Sequence, residues 1–186
     1  SEMCIRDRII GWDEILEGGL APEATVMSWR GEEGGIKSAR MGHDVVMTPG
    51  GYMYFDFYQA DPKTQPYAIG GYTPIKKVYS YNPVPADSLT AEECQHILGV
   101  QANTWTEYIQ TPEHLEYMMF PRALAVAEIG WTPQELRTWE DFKPRMNAHI
   151  SKLQGMGIRT FTLSDELEVT MQVDTAGREI EVILDA

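Results

Sequence analysis

The sequence is short of positive charge. Its 15 lysines and arginines stand against 28 aspartates and glutamates, a formal net charge of -13 over 186 residues. Binding to a phosphate backbone needs clustered Lys and Arg, so this balance argues against a nucleic-acid partner. Cysteine is scarce as well: Cys4 and Cys94 give no basis for a disulfide framework. His43, His96, His114 and His149 show no metal-ligand spacing, and nothing near Cys94 and His96 completes a site, so neither a metal nor another cofactor is expected. No apolar run approaches the roughly 20 residues of a membrane-spanning helix.

What is present is the composition of a globular domain, 43% hydrophobic and 23% charged, long enough to bury a real core. Short apolar runs recur: "RIIGWDEI", "EATVMSWRG", "VVMTP", "YMYFD" and "HILGVQANTW". "GIKSARMGHD" reads as a short helix between two of them. Strands alternating with helices imply an α/β fold with a parallel sheet. Gln59 to Leu89 is rich in Pro, Gly and Tyr and reads as a long ordered loop packed by its tyrosines. From Thr111 the pattern turns helical, with Thr111 as N-cap and Pro112 at the first helical position. Pro121 should break that segment. A further helix should start at Thr132 to Glu135, break at Pro144 and stop at Gly155 and Gly157. The tail "LEVTMQVDTAGREIEVILDA" alternates apolar and polar residues around a turn, a hairpin pattern. The domains expected are therefore 9–160 as one α/β unit and 161–186 as the start of a β-rich module. Residues 1–8, "SEMCIRDR", match nothing that follows and read as a leader not native to the rest.

The chemistry gathers where the runs end. Trp12, Trp29, Tyr54 with Asp56, and Trp105 with Glu107 all close such runs. In parallel α/β sheets and barrels, ligands bind at the C-terminal ends of strands. Trp105 and Glu107, two residues apart on a continuing strand, would share a face. Aromatic rings stack on the C–H faces of a sugar, and carboxylates accept hydrogen bonds from its hydroxyls. Composition alone leaves both a sugar site and a packed core open. Asp13 and Glu14 are expected to support a loop or cap a helix rather than catalyse. Tyr52, Phe57 and Tyr58 read as packing residues, and "EYMMF" as a buried helix face.

Taken together, "IIGWDEIL", "ATVMSWRG", "GHDVVMTP", "YMYFDFYQ", "ILGVQANTWTEYI" and "EYMMFPRALAVAEIGWT" closely resemble the family 20 glycoside hydrolases, the β-N-acetylhexosaminidases, from about Ile9 to about Gly157. The resemblance implies a partial (β/α)8 TIM barrel, about strands five to eight, followed by the start of a β-rich C-terminal module. It implies retaining, substrate-assisted removal of terminal N-acetylglucosamine or N-acetylgalactosamine from glycans, the substrate's 2-acetamido oxygen being the nucleophile. The family's catalytic Asp-Glu pair and its sugar-gripping arginine would lie upstream, so no catalytic residue carries over to this chain. Trp12, Trp29 and Trp105 would wall the acetamido group. Tyr54 would donate a hydrogen bond to the acetamido oxygen. Asp56 and Glu107 would bind the outer hydroxyls near O4 and O6. Bacterial members are often exported, which points to a periplasmic or secreted parent. Two other readings stay open: a retaining glycosidase using Asp56 and Glu107 about 5 Å apart, and a non-catalytic carbohydrate-binding module.

Overall fold

The computed structural model describes residues 9–163, 168–173 and 180–185, with side chains over the first of these ranges. Four strands, β1 (Ile10–Trp12), β2 (Thr25–Ser28), β3 (Val45–Met47) and β4 (Ile97–Val100), lie side by side in chain order. All three pairings are parallel, with Trp12 beside Met27, Ser28 beside Met47 and Met47 beside Val100. Sequential parallel neighbours are the local topology of a β/α barrel wall. The α/β class with a parallel sheet is thus as the alternation of the sequence implies.

The connections differ in size. Asp13–Glu17 is a 3-10 turn after β1, and α1 (Glu33–Arg40) joins β2 to β3. Between β3 and β4 come α2 (Gly50–Met53), α3 (Ile75–Ser80) and α4 (Ala91–Cys94). Then follow α5 (Pro112–Met119), α6 (Arg122–Trp131) and α7 (Trp139–Gly155). The core lies between the sheet and these helices, and includes Val45, Met47, Met53, Phe55, Val78, Ala125, Ile129 and Met146. Each large side chain among them, such as Phe55 or Met47, stabilises the fold by about 1.5–3 kcal/mol through burial. Gly35 lets α1 approach the sheet closely: a Cβ there would lie 2.6 Å from the Met47 sulfur and 3.1 Å from Val45.

Several expectations need correction. "YMYFD" is not a strand. Gly50–Met53 forms one helical turn after β3, and Tyr54 makes only a single bridge to Asn103. β4 ends at Val100, so Trp105 and Glu107 do not share a face by strand alternation. The stretch 59–89 is not all loop: Ile75, Val78 and Tyr79, spaced three and four apart, bury one face of α3. Tyr79 and Tyr81 are buried as expected of packing tyrosines, but Tyr67 and Tyr72 are exposed. The helix expected from Thr132 starts later. Gln134–Leu136 is a 3-10 turn, and Thr138 caps α7 by accepting from the Asp141 N–H at 3.3 Å. Pro144 does not break α7. It removes one backbone hydrogen bond near the first turn, while Phe142, Met146 and Ile150 anchor the helix in the core.

Other readings hold. Thr111 caps α5, with Pro112 at its first position, and the helix ends before the cis Phe120–Pro121 bond. In the tail, β5 (Glu168–Val173) and β6 (Ile180–Asp185) pair antiparallel, from Glu168 opposite Asp185 to Val173 opposite Ile180. The turn between them and residues 1–8 lie outside the described residues. Among the described residues, no helix is long and apolar enough to cross a membrane.

Candidate functional site: a carboxylate and aromatic pocket at the strand ends

The ends of β1 and β2 are locked together by Asp13. Its side chain is buried, and one carboxylate oxygen accepts from the N–H groups of Trp29 (3.1 Å) and Arg30 (3.2 Å). The other oxygen pairs with Arg30 Nε at 2.5 Å. Asp13 therefore supports a loop, as its sequence context implies. Ser28 continues the same work: its hydroxyl donates to the Gly31 carbonyl and accepts from the Gly35 N–H, tying the loop to α1.

Glu14 acts on a side chain rather than on backbone. Both its oxygens lie 3.0 Å from the Trp29 indole nitrogen, which donates to them. That hydrogen bond holds the Glu14 carboxyl below its ordinary pKa. The indole so fixed stacks on Tyr54, with ring centroids 6.3 Å apart and planes at 28°. Tyr54 in turn meets Phe57 at 5.6 Å. A second aromatic wall pairs Trp12 from the end of β1 with Trp105 from beyond β4, centroids 5.8 Å apart. Phe57 is seated on the backbone of Gly71, whose φ of +66° and contact with the ring leave no room for a side chain.

The two walls enclose a cavity of about 420 Å³ lined by Trp12, Glu14, Trp29, Tyr54, Asp56, Phe57, Ile69, Trp105 and Glu107. That volume suits a small-molecule site, typically about 300–1,000 Å³. All six residues singled out in the sequence meet there. Asp56 is buried, and its Oδ1 has no hydrogen-bond partner. Burial raises the Asp56 pKa, and the Glu107 carboxylate pushes the same way, while hydrogen bonds from the Asp56 and Trp105 backbone and, less strongly, the Arg122 guanidinium oppose them. Burial likewise raises the Tyr54 pKa, which keeps the phenol a hydrogen-bond donor. Three carboxylates and no Lys, Arg or His line this cavity. It therefore favours neutral, hydroxyl-rich ligands over anions.

Glu14, Phe57 and Ile69 line the cavity without having been singled out for it. Phe57 is not merely a packing residue. A signal for Glu14 was present: Trp12-x-Glu14 repeats the spacing of Trp105-x-Glu107. A larger cavity of about 920 Å³ lies along Gln59, Tyr72, Tyr117 and Arg159 and contains none of the six. Among the described residues, no cluster of three or more His, Cys, Asp or Glu is arranged to hold a metal.

A parallel β/α wall with aromatics and carboxylates at its strand ends defines a candidate glycoside-binding site on a barrel-type fold. Residues 4–134 match the catalytic domain of glycosyl hydrolase family 20, and the chain belongs to that family. It is 55% identical over 152 residues to a beta-hexosaminidase of Porphyromonas gingivalis, a match covering 81% of this chain and 19% of that protein. A beta-hexosaminidase of Vibrio furnissii is 32% identical over 125 residues, 66% of this chain and 20% of its own. The crystal structure of a family 20 exo-β-N-acetylglucosaminidase from Vibrio harveyi in complex with N-acetylglucosamine superposes with a TM-score of 0.75 at 31% identity. That likeness covers 84% of this chain and 25% of the other. The chain thus spans about a fifth to a quarter of the length of these relatives.

Proposed function

We propose that this chain forms the sugar-binding side of the active site of a retaining, substrate-assisted β-N-acetylhexosaminidase. Its four parallel strands correspond to strands five to eight of the barrel, and the tail hairpin opens a β-rich module. The substrate is a glycan ending in N-acetylglucosamine or N-acetylgalactosamine. The acid/base pair belongs to a preceding part of the protein. One observation carries the reading: side chains from four separate strand ends converge on one cavity with two aromatic walls and a buried carboxylate that keeps one oxygen without a partner. Family membership supports the same chemistry.

In this reading Trp12, Trp29 and Trp105 enclose the acetamido group, whose methyl needs an apolar box. Tyr54 donates to the acetamido oxygen and so helps aim it at the anomeric carbon, a positioning effect. Asp56 and Glu107 accept from sugar hydroxyls. Glu14 takes no part in proton transfer, because its carboxylate is engaged by the Trp29 indole.

Titration of the chain with N-acetylglucosamine, followed by tryptophan fluorescence, should show saturable binding, and an aryl N-acetylglucosaminide should not be turned over. Turnover that Glu14→Gln abolishes would place the acid in this chain and overturn the assignment. Turnover lost equally in Asp56→Asn and Glu107→Gln would favour a two-carboxylate mechanism. A longer reading frame with no Asp-Glu pair would leave only a binding module.

A further inference from the structure

Tyr54 to Phe57 carries two proposed ligand contacts yet belongs to no strand. Beyond the bridge to Asn103 and the Phe55 N–H bond to the Asn103 carbonyl at 2.7 Å, it needs another restraint. Arg122, the first residue of α6, is completely buried beneath it. Its Nη2 donates to the Phe55 carbonyl at 2.6 Å and its Nη1 to the Phe57 carbonyl at 3.1 Å. Nη1 also reaches the Thr73 carbonyl (3.1 Å) and hydroxyl (2.7 Å). The Thr73 hydroxyl donates in turn to the Tyr54 carbonyl at 2.9 Å. The carbonyls of Tyr54, Phe55 and Phe57 are therefore all held by Arg122, directly or through Thr73. The guanidinium lies 4.6 Å over the Phe55 ring, and the Met118 carbonyl takes its remaining bonds.

Burying a guanidinium is costly, and an apolar side chain of similar volume would fill the space more cheaply. What only Arg supplies is five donors in a rigid planar fork. Here two of its bonds are directed at the backbone on the two sides of Asp56, and two more at Thr73, whose hydroxyl holds the Tyr54 carbonyl. We infer that Arg122, with Thr73 as its relay, is a positioning residue that sets the place of Tyr54 and Asp56 in the pocket. The inference rests on the sugar-site reading for its consequence, though not for its geometry.

The test uses the full chain with Thr73→Val and, separately, Arg122→Lys. Amide hydrogen exchange is followed over 54–57 and over β2 and β3, and N-acetylglucosamine affinity is measured with and without Asp56→Asn. Thr73→Val should speed exchange at Phe55 and Phe57 by about tenfold while leaving β2 and β3 unchanged. It should weaken affinity about fivefold or more alone, but by a clearly smaller factor beside Asp56→Asn, where only the Tyr54 contact is left to misplace. Equal fold losses in both backgrounds, or exchange raised evenly across the sheet, would mean ordinary core support and overturn the inference. If Arg122→Lys does not fold, Thr73→Val alone decides. Failure of the unaltered chain to bind the sugar would sink the sugar reading, while the exchange pattern would still decide the clamp.

Discussion

Trp12-x-Glu14 and Trp105-x-Glu107 are the same pattern at the two outer strands of the sheet, and their tryptophans meet at 5.8 Å to form one wall of the pocket. Their glutamates have different work. Glu14 is bound through both oxygens by the Trp29 indole. Glu107 is exposed and lines the same cavity, where it raises the pKa of Asp56. The aspartates divide likewise. Asp13 takes an ion pair and two backbone N–H bonds, whereas Asp56 keeps one buried oxygen without a partner. Residue type and position at a strand end therefore do not separate a structural acid from one left open to a ligand. What separates them is whether the protein has already supplied the donors.

The largest effect should come from the structural side. Asp13→Ala leaves the N–H groups of Trp29 and Arg30 without their acceptor and frees the loop that carries Trp29. Losing these bonds should cost about 3 kcal/mol, a fall in Tm of roughly 6–12 °C for a chain of this size. Sugar affinity, measured well below the new Tm, should fall less than in the next variant. Asp56→Ala should do the reverse: N-acetylglucosamine affinity drops about 10- to 100-fold, the value of a hydrogen bond to a charged group, and Tm does not fall. A large loss of Tm in Asp56→Ala would erase the distinction between the two aspartates.

The two glutamates give a smaller and more specific contrast. Glu14→Ala should alter the near-UV circular dichroism of the unliganded chain, because the Trp29 indole loses its anchor beside Tyr54. Glu107→Ala should leave that spectrum unchanged and still weaken sugar binding. Identical behaviour of both variants would mean that Glu14 also contacts the ligand.

How much of this the sequence revealed follows from the range of the interactions. That Trp12, Trp29, Tyr54, Asp56, Trp105 and Glu107 share one cavity was legible because a parallel sheet carries its strand ends to one side, whatever the detailed path of each loop. The parallel order and the tail hairpin were legible from periodicity. The function of Glu14 was not, since it depends on an indole 15 residues away. Arg122 was hidden in a helical stretch that reads as core, and its acceptors at Phe55, Phe57 and Thr73 lie 49 to 67 residues earlier. Pro144 misled because a local breaker was weighed without the burial of Phe142 and Met146 around it.

Acidity gives the smallest and sharpest test of the comparison, because Asp56 carries a raised pKa of known cause. Burial first, then the Glu107 carboxylate, raises Asp56 above the ordinary value of 3.8, with backbone hydrogen bonds from Asp56 and Trp105 and then Arg122 opposing. The folded state thus holds the Asp56 proton more tightly than the unfolded chain does. Its contribution to stability is fully present below the ordinary carboxylate pKa and is lost as pH rises through the folded value. Asp56→Asn should accordingly raise Tm at neutral pH, and the gain should vanish on acidification. Ligand binding runs the opposite way. In the proposed sugar site an ionised Asp56 would accept sugar hydroxyls, so affinity should decline as pH falls through its raised pKa, before ordinary carboxylates titrate. Paired Tm and affinity profiles of the unaltered chain and Asp56→Asn would show both trends. An acid limb of affinity that survives unchanged in Asp56→Asn would show that Asp56 is not the group behind it and would break the comparison.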